Sequence, residues 1–270
     1  MSELDPSVQP VRRPVGEIET RRANRRDWDA YADEYQATHG SFLRDDGFVW
    51  GPEGIDEADL RMLGDVSGRS VLEIGCGAAQ CARSLVARGA RATGLDLSLR
   101  QLQHARRIDD ELGLRVPVVL GTATHLPFAD DSFDVAFSSF GALQFVEDIR
   151  RCVREVARVV RPGGRFAFSI THPIRWAMPD DPTSEGLVVT ASYWDRTPYV
   201  EEDAVTGEAR YVEHHRTLSD WVALLAGHGF RIVRLEEPQW PEGHDRVWGG
   251  WGPERGRLIP GTAIVAADLG

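Results

Sequence analysis

Four residues set the chemistry open to this chain. The segment VLEIGCGAAQ, Val71 to Gln80, places Glu73, Gly75 and Gly77 where an apolar run gives way to a helical pattern. Glycines at such a junction let the backbone turn sharply and approach a ligand closely. Asp96 ends the next apolar run, 21 residues after Gly75. That interval suits a carboxylate accepting two ribose hydroxyls. The glycine pair and the acid point to a ligand carrying a nucleoside. Nicotinamide and flavin enzymes share this signal, and an ordinary strand-to-helix turn without a ligand would also produce it.

The elements that must position these residues alternate regularly. SVLEI (70–74) reads as a buried strand, 80–88 as a helix stopped by Gly89, and 91–95 as a strand ending at Asp96. Ser98 caps a helix that Gly113 stops, and strands follow at 116–120 and 133–138. Asp148 opens a helix closed by RPGG, and 165–170 is a fifth strand. This rhythm predicts an α/β fold with a doubly wound, mainly parallel sheet. It breaks after Ile170. Residues 171–216 read as an insertion with its own hairpin, from runs such as LVVTASYW and ARYVEHH. A helix from Leu218, the strand FRIVRLEE, a tryptophan-rich loop over 238–261 and the strand TAIVAADL complete the chain.

Longer strings make the pattern specific. LEIGCG, TGLDLSLRQL, GTATHLPFADDSFDVAFSS and VARVVRPGGRFAFS stand in this order between Val71 and Ile170. They resemble the class I S-adenosylmethionine (SAM)-dependent methyltransferases, in particular the group that includes the ubiquinone and menaquinone C-methyltransferases. The resemblance implies a Rossmann-like seven-stranded sheet with an antiparallel last strand, an N-terminal helical cap, and SAM as cofactor. It implies that Glu73 sits by the SAM amino group and that Gly75 and Gly77 carry the methionine portion. Asp96 then takes both ribose hydroxyls, Leu97 packs on adenine, Ala123 lines the adenine edge, and Ser138 and Ser139 stand beside the methionine portion.

Three positions depart from the family pattern. The third glycine of the loop is Ala79, the usual acid of the adenine loop is Thr122, and the histidine often found after the fourth strand is Gln144. Outside the core, Trp28, Tyr31 and Tyr35 fall at helical spacing, with Phe48 and Trp50 close behind. They resemble the aromatic helix that covers SAM in many relatives. Aromatic faces also attract a sulfonium. Tyr31, Tyr35 and Trp50 are therefore expected to touch the cofactor. Residues 1–26 read as a mobile arm, 27–66 as a helical lid, and 27–270 as one methyltransferase domain.

Ligands of an open parallel sheet bind beyond the carboxyl ends of its strands. His172 follows the fifth strand directly and is the expected general base or orienting group; His214, His215 and Tyr193 are its rivals. Trp176, Trp194, Trp240, Trp248 and Trp251 fall in the two segments leaving that side of the sheet. They suggest a flat aromatic or heteroaromatic acceptor, such as a phenol or indole.

Composition narrows the alternatives. Net charge is −11, all 31 basic residues are arginines, and 42% of residues are apolar. An acidic surface disfavours nucleic acid as a partner. The absence of lysine removes the Tyr-x-x-x-Lys pair of many oxidoreductases and the lysine of phosphate loops. No run of 18 apolar residues occurs, no apolar leader opens the chain, and the three cysteines form no CxxC. The expectation is a cytoplasmic enzyme, monomer or homodimer, without a metal, acting on a small molecule. A nicotinamide or flavin oxidoreductase and a non-catalytic SAM-binding module are the rival classes.

Overall fold

A computed structural model describes residues 7–270. In chain order the elements are β1 (Val8–Arg12), α1 (Glu17–Leu43), α2 (Glu57–Leu60), β2 (Ser70–Ile74), α3 (Gln80–Ala87), β3 (Arg91–Asp96), α4 (Leu99–Leu112), β4 (Val118–Leu120), β5 (Phe133–Ser139), α5 (Ile149–Val159), β6 (Val160–Thr171), β7 (Tyr199–Asp203), β8 (Ala209–Glu213), α6 (Leu218–Ala226), β9 (Phe230–Glu236), α7 (Pro253–Gly256) and β10 (Thr262–Leu269). Seven strands form one sheet in the order β4-β3-β2-β5-β6-β10-β9. The pairs from β4 to β6 are parallel, and β10 runs antiparallel to both of its neighbours. The chain order reverses between β2 and β5, which opens a ligand crevice at their carboxyl ends.

Alternation along the strands supplies two cores, one per face. Phe166, Phe168 and Ile170 of β6 pack with α5 and α6, together with Val153, Val156 and Leu225. Ala167 lies on the other face with Leu85 of α3, Leu102 of α4 and Phe137. Both faces being covered, β2 shows near-continuous burial rather than the in-out pattern of a half-exposed strand. Local signals bound the helices, Ser98 and Gly113 as expected. Ser98 accepts from the Gln101 amide, Gly113 takes a left-handed conformation after α4, and Thr217 with Asp220 forms a capping box on α6. One fully buried ion pair, Arg83 to Asp109 at 2.8 Å, ties α3 to α4. Arg83 also donates to the carbonyls of Ala78 and Ala105, so its charge is compensated by several acceptors.

The N-terminal region differs from the expected mobile arm over 1–26. Val8–Arg12 pairs antiparallel with Tyr199–Asp203, making a three-stranded sheet β1-β7-β8. Helix α1 starts at Glu17, ten residues before the expected start, and runs 27 residues, about 40 Å at 1.5 Å per residue. Its hidden residues are small or polar: Thr20, Ala23, Asn24 and Ala32. Ala23 packs in a small apolar cluster with Val15, Val200, Ala209 and Val212, and hydrogen bonds add to it. The Asn24 amide donates to the Val212 carbonyl at 2.9 Å and its oxygen accepts from the Val212 amide at 2.8 Å. Residues 1–6 of the expected arm lie outside the described residues. Within the expected helical lid α2 is a single turn, and the insertion's hairpin is β7-β8. LVVTASYW forms no strand, and Val188 and Val189 there are exposed.

Candidate functional site

A pocket opens along the carboxyl ends of β5, β2, β3 and β4, with α1 laid across it. Its empty space is about 1280 Å³, open mouth included. Glu73, Gly75, Gly77, Asp96, Leu97 and Ala123 all line it, as the glycine-pair reading requires. Close backbone approach explains the glycines. A Cβ on Gly75 would meet the Gly141 carbonyl carbon at 2.7 Å, and Gly77 holds φ +53°. Ala79, standing at the loop's third-glycine position, also takes a left-handed conformation with φ 61°.

The two acids face the pocket in different settings. Asp96 accepts the Gly77 amide at 2.7 Å and the Ser98 amide at 2.8 Å, one on each carboxylate oxygen. Burial raises its pKa, and those backbone N–H groups oppose the rise. Glu73 is 2% exposed and accepts the Ala82 amide at 2.8 Å. Burial pushes its carboxyl up to about 8, the Ala82 and Cys81 hydrogen bonds acting against it and the Asp96 charge with it. Beside them, Gln80 Oε1 is buried without a hydrogen-bond partner and its residue lines the same wall. A buried carboxylate, a half-buried one and an orphaned amide oxygen are acceptors suited to a ligand rich in donors. A molecule with an ammonium group at one end and a ribose diol in the middle, as SAM has, fits that set.

The covering wall is aromatic. Trp28 and Tyr35 of α1, Phe140 and Phe145 after β5, and Trp248 of the loop after β9 line the pocket. Trp28 contacts Tyr35 and Phe145 edge-on, at 5.5 and 5.6 Å between centroids. Trp248 stacks on His39 at 4.1 Å. Burial raises the Tyr35 phenol above its usual pKa, which keeps it a donor.

Several expected site residues stand elsewhere. Tyr31 sits behind Trp28 and Tyr35 at 6.3 and 5.9 Å and does not line the pocket. Trp50 is fully buried in the core, packed on Phe48 and Phe137, with its indole N–H donated to Glu57 at 2.9 Å. Ser138 points into the core, and its neighbour Ser139 faces the pocket, since successive strand residues take opposite faces. His172 is also outside. Its Nδ1 accepts the Ile174 amide at 3.2 Å, its Nε2 donates to Glu237 at 2.8 Å, and it caps the short turn of helix that follows. Burial lowers its pKa despite the Glu237 contact. Both nitrogens are engaged and the ring is 5% exposed, so it does not serve as a base in this pocket.

Of the five tryptophans expected at the acceptor, only Trp248 lines the pocket. Trp176 is buried between the guanidinium groups of Arg12 and Arg175. Trp194 is 72% exposed. Trp240 is buried and donates to the His244 carbonyl at 2.7 Å, and Trp251 packs under Arg255 at 4.4 Å. The rivals to His172 are structural too: His214 meets Thr20 Oγ1 at 3.2 Å and His215 meets the Tyr193 carbonyl at 2.7 Å. The helical spacing of Trp28 was visible in the sequence; Phe145, Gln80 and the first turns of α1 carried no signal of their own.

Comparison with known proteins agrees with this geometry. A profile described as a methyltransferase domain matches residues 72–168. Methyltransferase GfsG of Streptomyces halstedii is 34% identical over 205 residues, 71% of this chain and 66% of that protein. The demethylmenaquinone methyltransferase of Mycobacterium sp. (strain JLS) is 41% identical over 104 residues, 38% of this chain and 42% of that protein. The chain thus spans less than two thirds of the length of these curated relatives. An S-adenosylmethionine-dependent methyltransferase from Mesorhizobium loti superimposes with a TM-score of 0.60 at 29% identity, covering 81% of this chain and all of that one. Fold, pocket and relatives together place this chain in the class I SAM-dependent methyltransferases.

Proposed function

We propose that the protein transfers a methyl group from SAM to a small, flat, largely apolar acceptor, an aromatic or heteroaromatic metabolite. One observation carries this reading: the pocket sets two carboxylates, the buried Glu73 and the half-buried Asp96, against an aromatic wall of Trp28, Tyr35, Phe145 and Trp248. Glu73 would hold the amino group of SAM, Asp96 the ribose hydroxyls, and Leu97 and Ala123 the adenine faces. Bound there, the sulfonium supplies an electrophilic methyl group.

The chain's own part is alignment and exclusion of water. Aromatic faces suit a cationic neighbour and a flat acceptor alike, each contact being worth roughly 0.5–2 kcal/mol. The residues lining the pocket include no histidine. An acceptor that ionises readily by itself, such as a phenol or an enolisable ring, therefore suits this site better than an alcohol. The ring acted on by the demethylmenaquinone methyltransferases is of that flat kind, which supports the class without naming the substrate.

The test is transfer of label from methyl-labelled SAM to a panel of phenols, indoles and quinols, with product identified by mass. Tight cofactor binding with no label transfer to any acceptor, in the panel or in a metabolite extract, would turn the reading to a binding module. Oxidation of a reduced nicotinamide would turn it to an oxidoreductase.

A further inference from the structure

We infer that Glu17, the first residue of α1, accepts the exocyclic amine of the cofactor's adenine and makes the site selective for an adenine base. The inference rests on the SAM reading of the pocket. Glu73 lies on β2 and Asp96 at the end of β3, and the sheet continues to β4. If Glu73 takes the amino end and Asp96 the ribose, the base must lie farther along the same edge, against the loop after β4. Gly121 to Thr124 form that wall of the pocket.

This loop brings no charged acceptor to the base. Thr122 stands where the family usually has an acid, and its hydroxyl is 3.2 Å from that of Thr124. A carboxylate reaches the same place from the covering helix. Glu17 lines the pocket, and its Oε1 accepts the Thr124 hydroxyl at 3.1 Å. Arg21 Nη1 lies 3.6 Å from the same oxygen. Both contacts use Oε1, which leaves Oε2 for a ligand. The Glu17 side chain is 29% exposed, so the pocket side remains accessible. An amine of adenine offers two N–H donors there, whereas a 6-oxo base would place an oxygen against a carboxylate and be repelled. A site built to bind one N–H partner rejects the analogue lacking it, because its own acceptor is left unpaired.

The experiment is titration calorimetry of the full chain with S-adenosylhomocysteine and with S-inosylhomocysteine, in which the amine is replaced by oxygen. The wild-type protein should prefer the adenosine compound by at least about tenfold. Glu17→Ala should weaken S-adenosylhomocysteine by up to about tenfold, bind S-inosylhomocysteine at least as well as wild type does once the repelling carboxylate is gone, and so abolish the preference. Glu17→Gln, which keeps size and can donate to an oxygen, should move the preference towards the inosine compound. An unchanged preference in both variants would overturn the role of Glu17 while leaving the SAM reading intact. A wild-type protein that binds neither compound would overturn both. Thr124→Val keeps Glu17 but frees it from the loop, and should reduce the preference part-way; no change there, with full preference retained, argues against Glu17 as placed.

Discussion

Replacing Glu73 by glutamine isolates the charge of one buried carboxyl from its shape. The carboxyl is 2% exposed, and burial raises it from 4.5 to about 8. The folded pKa lies above the unfolded one, so the folded chain holds this proton more tightly. The resulting stability is full below the unfolded pKa of 4.5 and is lost as pH rises through about 8. At 1.36 kcal/mol per unit, the free protein gives up roughly 3 kcal/mol by pH 7 and about 5 kcal/mol above pH 8. Glu73→Gln removes this dependence and should make the free protein more stable than wild type at pH 8. Cofactor binding should run the other way. An ionised Glu73 is needed to hold an ammonium group, so binding at pH 6 must first expel a proton. Affinity for S-adenosylhomocysteine should then fall roughly fiftyfold from pH 8 to pH 6 in the wild type. In Glu73→Gln it should be weaker at pH 8 and nearly flat with pH. Urea unfolding across pH and calorimetry in buffers of different ionisation enthalpy measure the two halves. Equal wild-type affinity at pH 6 and 8 with no proton release, or a variant less stable than wild type at pH 8, would refute the argument.

Four further outcomes follow from the packing. Arg83→Met strands Asp109 in the core and should cost about 3–5 kcal/mol in urea unfolding, whereas Arg83→Met with Asp109→Leu should recover most of it. His172→Ala removes two hydrogen bonds outside the pocket and should lower stability by roughly 1–3 kcal/mol. Its turnover and pH–rate profile should match wild type, and loss of the acidic limb would restore a catalytic role. Trp248→Ala opens the aromatic wall and should raise the acceptor KM on the order of tenfold with cofactor affinity held within a few fold. Trp240→Ala should do the opposite, costing about 3–5 kcal/mol of stability while leaving the KM near wild type.

What the sequence determined by itself was local and periodic. The apolar runs and their caps specify β2, β3, β5, α4 and the closing strands to within a few residues, because both faces of a parallel sheet demand continuous burial. The glycine pair and Asp96 were legible because close backbone approach restricts the residue type at one chain position, and a carboxylate ending the next strand at a fixed interval is a distinct signal. The tertiary structure decided everything that depends on which way a side chain points. Ser139 rather than Ser138 faces the pocket by a single step of strand alternation. Trp176, Trp240 and Trp251 left the acceptor site because irregular segments carry no periodicity from which to read a direction. His172 looked catalytic from its place at a strand end, but its neighbour at residue 174 and Glu237, 65 residues away, engage both its nitrogens. Helix α1 began earlier than the sequence suggested, since its buried face is held by Asn24 and Thr20 hydrogen bonds to the hairpin. Those partners stand almost two hundred residues away along the chain, and only folding brings them within reach.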